Sequence, residues 1–171
     1  MVKPWALHGS LFLAGELAEA HVERTLQYLA SLKIKEPAKI LIMSAGGNTD
    51  AMFAIIDVCG PWRKRGKLYT IGLGEVASAA ALILASGSKR YLYPNAIVGV
   101  HEPFVQTTDD PATARGELQS LDLVKRNYFD LLAEFTGTER ASWVRALNGR
   151  SMIWYSAEQA VHHGLVDGIF G

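Results

Sequence analysis

The sequence predicts an α/β fold built on a parallel sheet, and three features predict it. The segment Lys39-Ile40-Leu41-Ile42-Met43-Ser44 is a strand too apolar to face water on either side, as expected of a sheet covered on both faces. Strand-like and helix-like segments alternate four times between Ser10 and His101, the pattern of stacked βαβ units. From Pro111 to Phe135, Leu118, Leu121, Val124, Tyr128, Leu131, Leu132 and Phe135 recur at three- and four-residue steps, which predicts one long amphipathic helix. The 171 residues are enough for a full core and too few for two ordinary domains, so residues 1–171 are expected to form one.

Ser10 to Gly15 reads as a short strand closed by glycine, and Leu17 to Leu32 follows with helical spacing. After the apolar strand, Asn48 is placed to cap a helix running through Val58, and Lys67 to Ile71 returns as a strand. Val76 to Ser86 is predicted as a buried helix, with Arg90 to Leu92 and Ile97 to His101 as two further strands. The Pro111–Phe135 helix would be about 37 Å long at 1.5 Å per residue, more than so small a domain covers, and is expected to project against another subunit. Thr138 to Leu147 reads as a helix, and Ser156-Ala157-Glu158-Gln159 as a capping box opening a last one through His163. Leu165 to Phe170 closes the chain as a strand or turn.

Seventeen basic residues balance seventeen acidic ones, so no global field draws the chain to nucleic acid or an anionic membrane. The densest basic run, Arg63-Lys64-Arg65 with Lys67, falls in a predicted turn and reads as solvated. The sole cysteine, Cys59, can form no intramolecular disulfide, which fits a reducing compartment. The N-terminus has no secretory-signal pattern, and the longest apolar run, Val76 to Ala85, is well short of the roughly 18 residues of a membrane span. A cytoplasmic protein without cofactor or metal is expected, because the five histidines show no metal-ligand spacing.

Ser78 lies among small residues in Gly74-Glu75-Val76-Ala77-Ser78-Ala79-Ala80-Ala81, where a strand gives way to an apolar helix. A helix start offers free N–H groups and partial positive charge. The bland alternative is a buried serine in a tightly packed helix. Gly72, Gly74 and Ala77 also match one form of the dinucleotide fingerprint, but no acidic residue lies between Glu75 and Glu102 to hold a ribose. Gly46-Gly47 follows the apolar strand and is either an oxyanion donor or a plain tight turn. His101 ends a strand, from which its side chain can reach a cleft.

With glycine pair, serine and histidine in this order on βαβ units, the chain resembles ClpP, the proteolytic subunit of the Clp protease, within the ClpP/crotonase fold. Ser44-Ala45-Gly46-Gly47 is similar to that family's Ser-Pro-Gly-Gly, Gly74 to Ala80 to its Gly-x-Ala-Ala-Ser-Met-Gly, and His101-Glu102-Pro103 to its His-Gln-Pro. Arg90 to Asn95 resembles its Arg-x-x-x-Pro-Asn, and the Gly-Leu-Val-Asp ending at Asp167 its C-terminal part. The resemblance implies repeated ββα/βαβ units with a projecting handle helix at about 111–135. It also implies Ser78 as nucleophile, His101 as general base, the N–H groups of Gly47 and Ala79 as oxyanion hole, and a homo-oligomer of two stacked heptameric rings acting on peptides or unfolded polypeptides.

Three departures accompany the resemblance. The family's catalytic aspartate falls on Met152, and a thioether cannot hold an imidazole tautomer as a carboxylate does. Asn148 or Ser151 is then a candidate to orient His101, or a carboxylate such as Asp109 or Asp110. The segment that forms the family's axial gate is largely missing before Gly9, which argues against an ATPase unfoldase partner. Alanine stands at Ala45 and Ala80 where the family has proline and glycine. The expected function is a self-compartmentalising serine endopeptidase. Its rival from another class is a catalytically weak or silent structural subunit, and a third, less favoured reading is a crotonase-like acyl-CoA enzyme.

Overall fold

The computed structural model describes residues 8–33, 35–104 and 110–170. Its backbone is β1 (Leu11–Ala14), α1 (Glu19–Ser31), β2 (Ala38–Ser44), α2 (Thr49–Lys64), β3 (Leu68–Ala77), α3 (Ala79–Ala85), β4 (Lys89–Leu92), β5 (Ile97–Val100), α4 (Pro111–Thr136), α5 (Arg140–Leu147), β6 (Ile153–Tyr155), α6 (Ala157–His162) and β7 (Gly168–Ile169). The strands join in the order β1-β2-β3-β4-β7, with β5 on the far end of β3 and β6 beside β5. Every pairing is parallel except β5 with β6. The α/β fold with a parallel sheet that the sequence predicts is the fold observed.

Strand β3 organises the sheet. Its first part, Tyr69 to Gly72, pairs with β4, and its last part, Glu75 to Ala77, pairs with β5. Against β2, Ile42 faces Gly72 but Ser44 faces Val76, so two extra residues of β3 are accommodated between them. Gly74 absorbs this bulge with φ +60°, a backbone state that costs glycine little. Here the sequence reading needs correction. Gly72-Leu73-Gly74 is strand, and Val76 and Ala77 continue it, so the helix begins at Ala79. Pairing with both β2 and β5 outweighs the helical spacing of Val76 and Ala77.

Helix α3 is apolar on all sides and completely buried, as an all-round hydrophobic helix must be. Thr70 Oγ1, itself buried on β3, donates to the Leu84 carbonyl and satisfies one orphan acceptor at the α3 C-terminus. Helix α2 is capped by Asn48 Oδ1, which accepts from Ala51 N at 2.9 Å. It runs six residues beyond Val58, through Pro61, because buried Cys59 and partly buried Trp62 hold its last turns on the core. Arg63 and Lys64 therefore belong to a helix rather than a turn. The Ser156–Gln159 capping box forms as read.

Coverage of the sheet is incomplete at its β1–β2 edge. Ile40 and Ile42 are buried, but Met43 is 42% exposed and Phe12, beside Leu41 in the register, is 40% exposed. The expectation of cover on both faces fails there, because no helix among the described residues covers Phe12 and Met43. In α4 the C-terminal half buries Tyr128, Phe129, Leu132 and Phe135, while Leu118 and Leu123 face outward. No helix among the described residues is long and apolar enough to cross a membrane.

Arg90 closes the fold. Its guanidinium donates to Asp167 through both Nε and Nη2, and its Nη1 donates to the carbonyls of Phe135 and Gly164. The Arg90 main-chain N–H donates to Asp167 Oδ2 at 2.8 Å. One largely buried side chain thus ties β4 to the end of α4 and to the segment after α6. Arg90→Ala should cost about 2–4 kcal/mol in urea denaturation, since it strands two carbonyls and a carboxylate. Arg140→Ala, which removes a half-exposed pair with Asp130, should cost under about 1 kcal/mol.

Candidate active site

The site lies where β2, β3 and β5 end together. Ser78 directly follows β3, and its main-chain N–H donates to the Gly99 carbonyl of β5 at 2.8 Å. Its backbone sits at φ +56°, ψ −128°, the only positive φ among the described non-glycine residues. A side chain there costs on the order of 1–3 kcal/mol and is held only by surrounding structure. This sharp strand-to-helix turn lifts Ser78 Oγ out of the sheet and leaves the next N–H, of Ala79, ahead of the α3 ladder.

His101 follows β5, and its Nε2 lies 2.6 Å from Ser78 Oγ. On the other side of the ring, Nδ1 lies 2.8 Å from the carbonyl oxygen of Glu102. A carbonyl can only accept, so Nδ1 carries the proton and donates to it. The unprotonated Nε2 then accepts from the Ser78 hydroxyl, the arrangement in which a neutral imidazole can draw a proton from serine.

Gly46 and Gly47 supply the opposite wall. Leu17 N donates to the Gly46 carbonyl, and Asn48 N donates to the Leu17 carbonyl, a parallel bridge that turns the Gly47 N–H away from Leu17. Ser44 Oγ donates to the Gly15 carbonyl and accepts from Gly46 N at 3.1 Å, which fixes the turn from beneath. A methyl group on Gly46, where φ is +105°, would come within 2.5 Å of Ser78 Cβ and 2.9 Å of the Ala77 carbonyl oxygen. The glycine pair is therefore no ordinary turn. Ser78 can stand where it does only because Gly46 has no side chain.

A cavity of about 320 Å³ joins these parts, and Gly47, Ser78, Ala79, His101, Phe104, Tyr128 and Met152 are among its walls. Burial pushes the Tyr128 phenol far above its usual range, so it is neutral at physiological pH. Met152 stands opposite His101 when the β5–β6 register, which pairs Val100 with Ile153, is continued by one residue. Strand β6 itself was missed in the sequence, being three residues long.

Among the described residues, the hydrogen bonds of the His101 ring go to Glu102 O and Ser78 Oγ, and neither Asn148 nor Ser151 supplies one. Asn148 follows α5, and its main-chain N–H donates to the Val144 carbonyl at 3.1 Å. Ser151 borders a second cavity that also touches His101, without a hydrogen bond to it. Asp110 accepts from Thr113 N as the cap of α4, and Asp109 lies outside the described residues. The group that holds Nδ1 is the Glu102 carbonyl, for which a sequence has no side-chain signal. Burial pushes the Cys59 thiol up to about 12, so it is a packed hydrophobe rather than a rival nucleophile. His21 is structural, its Nδ1 accepting from Ala18 N and its Nε2 donating to the Ala14 carbonyl. Among the described residues no group of three or more His, Cys, Asp or Glu could hold a metal ion.

The sequence matches the Clp protease family over residues 8–171. The chain belongs to the Clp protease family. It is 32% identical over 164 residues to the ATP-dependent Clp protease proteolytic subunit 2 of Treponema denticola, covering 93% of this chain and 80% of that one. Subunit 1 of Corynebacterium glutamicum is 32% identical over 167 residues, covering 94% and 78%. Subunit 1 of Bifidobacterium longum is 30% identical over 164 residues, covering 92% and 68%. In this Clp protease chain, Gly46→Ala should lower stability by about 2–4 kcal/mol, from backbone strain and a displaced Ser78. Thermal denaturation would measure this, with Gly116→Ala, an open helical position, as the neutral or stabilising control.

Proposed function

We propose that this chain is the catalytic subunit of a serine endopeptidase that cleaves peptides or unfolded polypeptides through an acyl-enzyme on Ser78. The 2.6 Å contact between Ser78 Oγ and His101 Nε2 carries this reading. In the first step Ser78 Oγ attacks the scissile carbonyl while its proton passes to His101 Nε2. The tetrahedral oxyanion is received by the N–H groups of Gly47 and Ala79, each such donor being worth about 10²–10³ in rate. Collapse expels the amine, which takes the proton back from His101. A water, activated by the same imidazole, then hydrolyses the ester and restores Ser78.

The Glu102 carbonyl takes the orienting role in this mechanism. It holds the tautomer, but as a neutral dipole it stabilises the imidazolium less than a carboxylate would. Loss of that carboxylate from a triad costs up to about 10⁴ in turnover. A slow enzyme is the expected outcome. Met152 at the place opposite His101 supports the second reading, a subunit that assembles but does not cleave.

Self-association belongs to the same proposal. The outward Leu118 and Leu123 on α4 and the half-open Phe12 and Met43 at the sheet edge are apolar surface that a second copy of the chain would cover. This fits a handle helix joining stacked rings.

A fluorophosphonate probe read by intact mass tests the chemistry. One adduct is expected on the wild-type oligomer, none on Ser78→Ala, and a rate reduced by about 10²–10⁴ on His101→Ala. An assembled wild type that stays unlabelled would establish the silent subunit instead.

A further inference from the structure

We propose that Lys125 is a positioning residue for His101, acting through the Glu102 side chain on the carbonyl that holds Nδ1. The proposal rests on the reading of Ser78 and His101 as nucleophile and base. Glu102 carries two contacts that point in different directions. Its carbonyl oxygen is 2.8 Å from His101 Nδ1, and its carboxylate Oε1 is 2.8 Å from Lys125 Nζ on α4.

The following residue, Pro103, confines Glu102 to extended conformations and so narrows the directions its carbonyl can take. What remains free is the position of the loop as a body. The ion pair fixes that by anchoring Glu102 to the long helix. The restraint is needed because a cavity of about 370 Å³, bordered by His101, Glu102, Lys125 and Arg150, adjoins the ring on this side. Water entering there competes with the carbonyl for Nδ1, and without a fixed acceptor the imidazole is free to populate the other tautomer, whose protonated Nε2 cannot accept from Ser78. A side-chain carboxylate would have held the ring directly. With Met152 in its place, the task falls to a main-chain group whose own support is the Lys125 clamp.

Both partners are about one-third exposed, so the pair is worth about two- to fivefold and is weakened by salt. The test uses solid-state ¹⁵N NMR of the assembled, histidine-labelled protein, with the His101 signals assigned by difference from His101→Asn. Wild type should show Nδ1 protonated and Nε2 free. Lys125→Met and Glu102→Gln should both show a mixed population. Their fluorophosphonate labelling should fall two- to fivefold, and peptide turnover should fall in kcat with KM unchanged. Lys125→Arg should restore the wild-type ring signals and rate, and raising the salt concentration should slow wild type but not Lys125→Met.

Wild-type ring signals in either folded charge-removed variant would overturn the clamp. Because the NMR signals do not depend on turnover, an unlabelled wild type whose tautomer still shifts in Lys125→Met would retire the peptidase reading and leave the clamp standing.

Discussion

The closeness of the Gly46 main chain to Ser78 is the constraint on which the site depends. No side-chain carbon fits between them, so the ends of β2 and β3 meet at a separation that only a glycine allows. The two residues of β3 in excess of β2 let Val76 pair again, with Ser44, after the bulge at Gly74, and so bring Ser78 against Gly46. Pairing of the same stretch with β5 brings His101 alongside. The sheet register, the left-handed Ser78 and the Ser–His contact are thus one arrangement: slipping β3 by a residue would turn every side chain of its last pairs to the other face.

Most of the fold was legible because hydrophobic spacing and capping chemistry are local. Asn48, the Ser156–Gln159 box and the α4 stripe each announced an element whose position the structure repeats. The misreadings occurred where a non-local partner outweighed local preference. Val76 and Ala77 look helical until β2 and β5 claim them, the helix capped by Asn48 reads as ending at Val58 until the core holds Cys59 and Trp62, and β6 is too short to show a period of two. Cover for Phe12 and Met43 could not be judged from an apolar strand, since the sequence of β2 does not say whether its second face meets a helix of the same chain.

For the candidate site, the side chains were legible and the main chain was not. Ser78 and His101 stood out by residue type, and the structure brings them within 2.6 Å. The Glu102 carbonyl could not stand out, because every residue has one. Replacing an ionised acceptor by a peptide dipole keeps the directional part of the interaction with Nδ1 and gives up much of the charge–charge part. Under the proposed mechanism the two parts have different duties: direction sets the tautomer before reaction, and charge steadies the imidazolium during it. A site of this kind would be correctly prepared and electrostatically underpowered.

The Arg90 clasp has a bearing on how the chain comes to be folded during its synthesis. Asp167 lies 77 residues after Arg90, and the carbonyls of Phe135 and Gly164 lie 45 and 74 after it. A ribosome that has just released β4 has delivered a guanidinium with none of these acceptors, and β7 cannot pair with β4 until Gly168 and Ile169 have emerged. The early strands and α3 can collapse while the chain grows, but the sheet edge at β4 stays unpaired until β7 has followed. Such an edge is open to pairing with other chains, which makes the interval between β4 and Asp167 the period when a growing chain most needs protection from its neighbours.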